Sequence, residues 1–488
     1  MSDEQEAALR MNDEPGSDAA GQPGKAAYGP GGAERGRPPL AGSRAVLAGS
    51  AAVLIIASLL GAALGFGAKA ACRAGAWNIG VEQFQAHCYT DIYPLYFGEG
   101  LSAGKVPYLQ HPVEYPVVMG AVMQAVAWVL RPVTDAGAAG GEFFDLTVTL
   151  LALFLLAGVL ATAYCAGPDR RWTALLVALS PALILGAFIN WDLIAMGLLM
   201  LGLAAWAARR PWLAGVLLGL AVATKFYPVF CLGPLFLLCL RAGRLRAFWQ
   251  TTGSAAVTWL AVNLPVAIAA PHGWAAFYTF NASRGADWGA IWYFFEVEHW
   301  PLAGGLSPHA LNLASAGLFA LACAGISALA LGAARRPRLP QLIFLTVAAF
   351  VLSNKVWSPQ YVVWLVPLVV LARPRMLSYA LWQLAEIGYF YAIWDYLVTV
   401  VAGQQTAGAI GTGPYFAALL ARFLTVLLLC VLVVRDILRP DGDVVRAGGM
   451  DDPAGGVLSG APDRYRLRLG LRRPMPAQVR AAGQQALA

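Results

Sequence analysis

The segment His87 to Pro116 reads HCYTDIYPLYFGEGLSAGKVPYLQHPVEYP and holds three carboxylates (Asp91, Glu99, Glu114), two histidines and one lysine. Only 12% of the 488 residues are charged, so this concentration of polarity directly after a long apolar run calls for an explanation. Asp91 is flanked by Tyr89, Thr90, Tyr93 and Tyr96. A carboxylate can accept a proton, and rings with hydroxyls are suited to holding a sugar beside it, which makes Asp91 a candidate general base and Tyr89, Tyr93 and Tyr96 candidate substrate contacts. Glu114 and Tyr115 close the segment and join that set. The plain alternative is a solvated loop that only ties two spans together, although loops often carry function.

Further along, SNKVWSPQY at Ser353 to Tyr361 gathers Lys355, Trp357 and Gln360 where Pro359 breaks a helix. Lys355 can bind a phosphate as a compact charge, or it can be a lysine snorkelling from a span end. ATKFYP at Ala223 to Pro228 repeats the lysine, aromatic and proline pattern with Lys225, and Arg284 sits among Asp287, Trp288, Trp292 and Tyr293. Asn190 and Asp192 interrupt two short apolar runs, and Asp192 is either a functional break or a helix cap. Glu386 and Asp395 fall inside one apolar run, where a buried pairing with Arg422 is the favoured reading. The five histidines are scattered and no metal motif of recognised spacing occurs; no cofactor is expected, and Walker, dinucleotide and nucleophile-elbow motifs are missing. Asn281-Ala282-Ser283 matches a glycosylation acceptor, a pattern frequent by chance.

The elements that must position these residues are apolar helices. With 59% hydrophobic residues and a mean hydropathy of +0.61, the chain reads as an all-α polytopic membrane protein. The net charge of +7 marks topology rather than nucleic-acid binding, because the arginines cluster in short turns between apolar runs. These turns hold Arg209 and Arg210, Arg241 to Arg246, Arg335 to Arg338, and Arg373 with Arg375, whereas Lys69, Lys105, Lys225 and Lys355 fall at the opposite ends of the spans. Five cysteines lie in or beside apolar runs as packing residues. Cys72 and Cys88 share the loop after the first span and are expected to pair, the alternative being two free thiols.

Residues 1–43 lack an apolar period and read as a disordered cytoplasmic tail. Arginines before the first run, at about 45–68, put the N-terminus inside and the loop 69–114 outside. That run is too long for a signal-peptide core. Thirteen apolar runs can be marked in 44–435, yet the arginine-rich segment 436–488, read as a second disordered cytoplasmic tail, requires an even number of crossings. The misfit lies between Glu114 and Trp172: either one run, such as 116–130, is re-entrant or interfacial, or Arg170 and Arg171 break the rule. YRLRLGLRR at Tyr465 to Arg473 could touch an anionic leaflet, against the plainer reading of incidental charge in a tail. In this topology the unusual residues collect on the outer face.

Four stretches, CYTDIYPLY, EYP at Glu114 to Pro116, RPWLAGVLLGLAVATKFYPVF and SNKVWSPQYVVWLVPL, in this order, resemble bacterial membrane proteins of glycosyltransferase family 87 over roughly residues 45–435. That family includes polyprenol-phosphate-mannose-dependent mannosyltransferases. The resemblance implies a GT-C-like fold of about 12 (11–13) transmembrane helices with extracytoplasmic loops forming the site, in the plasma membrane of a bacterium, both termini cytoplasmic. It implies a polyprenyl-phosphate sugar as donor, mannose being the expected hexose, and a cell-envelope lipid or glycan as acceptor. Asp91 would be the base of an inverting transfer, with Lys225, Lys355 and Arg284 steadying the leaving phosphate. One departure is Val117, where the family often has a second proline. The rival reading is a transporter or lipid flippase, which should show inverted repeats, and no convincing pair is found.

Overall fold

A chain in lipid must pair its own backbone groups, and the apolar runs do so as helices. The computed structural model describes residues 41–78, 80–133, 135–301, 303–447 and 451–467, with nineteen α-helices and no strand among them. The chain divides into units 1–46 and 47–488. Of the tail expected over 1–43, all but 41–43, which open the first helix, lies outside the described residues. Unit 47–488 holds the greater part of that helix, every later helix and all the candidate site residues.

After α1 (Ala41–Gly67) the first loop carries only short helices, α2 (Ala70–Arg73), α3 (Glu82–Gln85) and α4 (Ile92–Gly98). Then come α5 (Val117–Val129) and α6 (Ala136–Ala166), the latter capped by Asp135, whose carboxylate accepts from Ala138 N at 2.6 Å. The apolar run at 173–189 is broken into a 3-10 turn, α7 (Leu175–Ala178) and α8 (Pro181–Gly186), because Pro181 can only begin a helix and Ser180 caps it. The chain continues through α9 (Asp192–Ala207), α10 (Pro211–Thr224), α11 (Leu232–Ala242), α12 (Leu245–Ala269), α13 (Pro271–Ser283) and α14 (Ile291–Val297). It ends in α15 (Pro308–Gly332), α16 (Leu339–Ser353), α17 (Val362–Ala372), α18 (Met376–Ala402) and α19 (Thr412–Leu438).

Six of these, α1, α6, α12, α15, α18 and α19, are long and apolar enough to cross a membrane, and six further apolar helical stretches have only 10–17 residues. α9, α16 and α17 lie in the interior, apolar around their whole circumference, while α15 stands at the edge, with only 6% of its most apolar window buried. α10 packs closely on α12 because Gly215 and Gly219 leave room for the backbone at Thr251 and Ala255.

Contacts at the helix ends define two faces. On one, Asp145 of α6 pairs with Arg73, Gly140 lies against Phe97, and Asp91 N donates to Ile189 O at 2.6 Å. On the other, Arg170 donates to Val444 O and Arg171 to Ser50 Oγ at 3.2 Å. The broken segment 171–189 therefore joins the two faces. α5 begins at Pro116 and leads back to the start of α6 on the loop side; with its amide turned to satisfy both ends, Gln124 donates to Lys105 O at 3.1 Å.

Residues 436–447 and 451–467 depart from the sequence expectation of a disordered tail over 436–488, the rest of which lies outside the described residues. Asp436 lies within α19 and pairs with Arg373 at 3.2 Å. Asp443 holds Arg338 at 2.7 Å, Asp463 holds Arg241 at 2.5 Å and Arg336 at 3.1 Å, and Gly455 O accepts from Trp206 Nε1 at 3.1 Å. Arg241, Arg336 and Arg338 of the short turns are thus ion-paired by aspartates of this segment. The stretch 468–473 of the Tyr465 to Arg473 motif is outside the described residues.

Candidate active site

The loop 69–116 is anchored before it reaches Asp91. A disulfide joins Cys72 to Cys88 with Cα atoms 5.7 Å apart, and His87 Nε2 meets Asp395 Oδ1 of α18 at 2.7 Å. Thr90 Oγ1 donates to Phe188 O at 2.7 Å and accepts from Ile92 N at 3.2 Å, which starts α4. Asp91 occupies the position before α4, but its side chain caps nothing. Its Oδ1 accepts from Tyr89 OH at 2.7 Å and its Oδ2 from Tyr115 OH at 3.4 Å. Among the described residues no cation lies within ion-pair distance of it. Burial pushes the Asp91 carboxyl up to about 6, against the pull of the Tyr89 hydrogen bond and of Lys225, with Asp192 adding to the rise.

Asp91 opens into a cavity of about 650 Å³. Its walls bring together Tyr89, Glu114, Tyr115, Asn190, Lys225, Arg284, Lys355 and Gln360, residues that the sequence scatters over 272 positions from 89 to 360. The three cations differ in what binds them. Lys225 is paired with buried Asp192 at 2.9 Å and lies 5.2 Å from the Tyr115 ring centre. Asp192 also accepts from Trp364 Nε1 at 2.9 Å, and it is not a helix cap, since the cap position of α9 is Trp191. Arg284 pairs with Asp287 at 3.0 Å. Lys355 Nζ donates to Arg284 O at 2.6 Å and has no carboxylate partner among the described residues, so its charge is the least neutralised of the three.

Arg422 of α19 holds the turn that carries Lys355. It pairs with Glu386 at 2.9 Å, donates to Trp357 O and Ser358 O at 3.0 and 3.1 Å, and lies 4.2 Å from the ring centres of Trp357 and Tyr389. The expected partnership of Glu386 with Arg422 is present, whereas Asp395 pairs with His87 instead. Gly289 is required beside this turn, since a Cβ there would strike Trp357 O and the Tyr389 hydroxyl.

Four expected contacts are elsewhere. Tyr93 stacks on Trp77 and donates to Asn78 Oδ1 at 2.9 Å, and Tyr96 packs on Phe143, because α4 turns both away from the Asp91 side. Trp357 is buried against Arg422 and offers only its backbone to the turn. Asp192 stands behind Lys225 rather than in the cavity wall. Conversely, Asp287, Asn354, Tyr361, Trp364 and Trp394 line the cavity without having been singled out as contacts. Asp287, three residues after Arg284, was the most legible of them, as the near partner of a cation in an apolar chain.

Among the described residues no group of three or more His, Cys, Asp and Glu side chains could hold a metal ion. His111 lies 3.5 Å from Glu99, whose carboxyl is pushed up to about 7 by burial and by Glu114. A half-buried, tyrosine-bonded carboxylate facing three cations across a ring-lined cavity can take a proton from a hydroxyl while an anionic group departs.

No curated protein matches the chain. The model of glycosyltransferase family 87 matches residues 115–359, which takes in Tyr115, Lys225, Arg284, Lys355 and most of the cavity wall but not the loop with Asp91. That match covers half of the chain, and with the membrane-suited helices it shows that the chain belongs to glycosyltransferase family 87.

Proposed function

We propose that the protein moves a hexose, mannose in the first instance, from a polyprenyl-phosphate sugar to a lipid or glycan acceptor of the cell envelope, with Asp91 as general base. The observation that carries this reading is the state of Asp91: half-buried at the cavity wall, bonded by two tyrosine hydroxyls, and without an ion-pair partner among the described residues. The acceptor hydroxyl gives its proton to Asp91 as its oxygen forms the new bond to the anomeric carbon. The bond from that carbon to the phosphate oxygen breaks, polyprenyl phosphate leaves with the electron pair, and the configuration inverts. Lys355 is the first cation for the leaving phosphate, with Arg284 beside it; Lys225, committed to Asp192, acts on Asp91 from the side.

The cavity face is taken to be extracytoplasmic and both termini cytoplasmic, since the arginine turns gather on the opposite face. Counting segment 171–189 as a crossing and α5 as lying on the outer side gives twelve crossings, the even number that the charge distribution asks for. The test is sugar transfer from a labelled polyprenyl-phosphate hexose in membranes holding wild type or Asp91→Asn at matched levels. Loss of about 10²-fold or more is expected. Equal transfer by both would remove Asp91 from the mechanism, and no transfer by either with any donor would favour a transporter.

A further inference from the structure

We propose that Lys69 is a positioning residue of this site: it holds the Tyr89 peptide from behind and supplies the buried positive charge that keeps Asp91 an anion able to take a proton. This rests on the reading of Asp91 as the base. A lysine at a span end ordinarily carries its ammonium out to water. Lys69, two residues beyond α1, does the reverse and is 0% exposed. Its Nζ donates to Tyr89 O at 2.7 Å and lies 5.9 Å from the Phe390 ring centre, and among the described residues it has no carboxylate within ion-pair distance. Tyr89 in turn gives its hydroxyl to Asp91.

Joining the two segments does not need the lysine. Cys72, three residues after Lys69, is bonded to Cys88, the residue before Tyr89, so the disulfide already fastens this junction. What an ammonium adds over an apolar side chain here is charge, and a buried charge is costly to keep. The other charged groups around it are committed: Arg73 of α2 to Asp145 of α6, and His87 of the loop to Asp395 of α18, which otherwise presents the uncharged Phe390. Asp91 is the opposite charge left to answer it. Burial pushes Lys69 down to about 7, and the Asp91 carboxylate draws it back up.

Below about pH 7 native and unfolded chains both hold the Lys69 proton, and the whole burial cost of the charge is present. Between about 7 and 10.5 the unfolded chain keeps a proton that the native one has lost, so this contribution makes stability rise with pH. Lys69→Met removes that cost. It should therefore melt higher than wild type at pH 6, with the gap closing towards pH 10, and yet transfer sugar at least about tenfold more slowly, with the acid limb of kcat/KM moved to higher pH. Lys69→Arg, whose charge does not titrate, should keep transfer and lack the fall in rate expected of wild type as Lys69 gives up its proton above about pH 7.

Heat unfolding of purified protein and the pH profile of transfer decide the matter. Wild-type rates and an unmoved acid limb in Lys69→Met would overturn the proposal. Should that variant fail to fold, a folded Lys69→Arg with the wild-type profile, alkaline fall included, would do so. Asp91→Asn run alongside separates the two readings: normal transfer there sinks the base assignment, whereas loss there beside an unaffected Lys69→Met sinks only the role of Lys69.

Discussion

A carboxylate that is to accept a proton near neutrality must be neither well hydrated nor tied to a cation, and Asp91 meets both conditions through partial burial and two neutral hydroxyl donors. Its rate limb should therefore rise as pH rises through about 6. Asp192 and Lys225 tune that limb, because Asp192 both neutralises Lys225 and opposes the ionisation of Asp91. Asp192→Asn should free the Lys225 charge and move the acid limb of kcat/KM to lower pH; an upward shift would contradict this account. Asp91 and Tyr89 were legible because a carboxylate among rings stands out in an apolar chain. Tyr93 and Tyr96 were misread because sequence proximity ignores the turn of α4, which sends both to the far side.

At the scale of elements, the turn 353–361 is held by α18 and α19 through Glu386 and Arg422. Both side chains are buried, so Arg422→Met should leave a carboxylate unpaired and two carbonyls without donors, at a cost of about 3–5 kcal/mol. Heat unfolding in detergent should show that loss, with a smaller one when Glu386→Gln is combined with it. This pair could be foreseen, since charges inside apolar runs seek each other. The Asp395 to His87 pair could not, because 308 residues separate its members. Hydropathy alone likewise marks 173–189 as a single apolar run, while Ser180 and Pro181 restart the helix there.

For the whole molecule, the segment after α19 acts as a clasp across the arginine turns. Asp443 and Asp463 are the carboxylate partners of the buried Arg338 and Arg241. Truncation after Leu438 strands both arginines without these partners and should abolish folded protein in gel filtration. Asp443→Asn alone should cost about 3–5 kcal/mol in heat unfolding, since its partner Arg338 is buried. A truncated chain that elutes and melts like the full one would refute the clasp.

Hydropathy and charge order are properties of the chain read in one dimension. They sufficed for the all-helical membrane class, the family resemblance, the first loop as the one that brings a carboxylate to the cavity, and the lysines and arginines as marks of opposite faces. Four matters needed the tertiary structure: that Lys225 is already neutralised, that Lys355 is not, that Lys69 turns inward behind Asp91, and that aspartates of the segment after α19 pair with arginines of the turns. Each depends on which distant charge arrives beside which, and in a low-dielectric interior that juxtaposition decides whether a group is a structural partner or a reactive one.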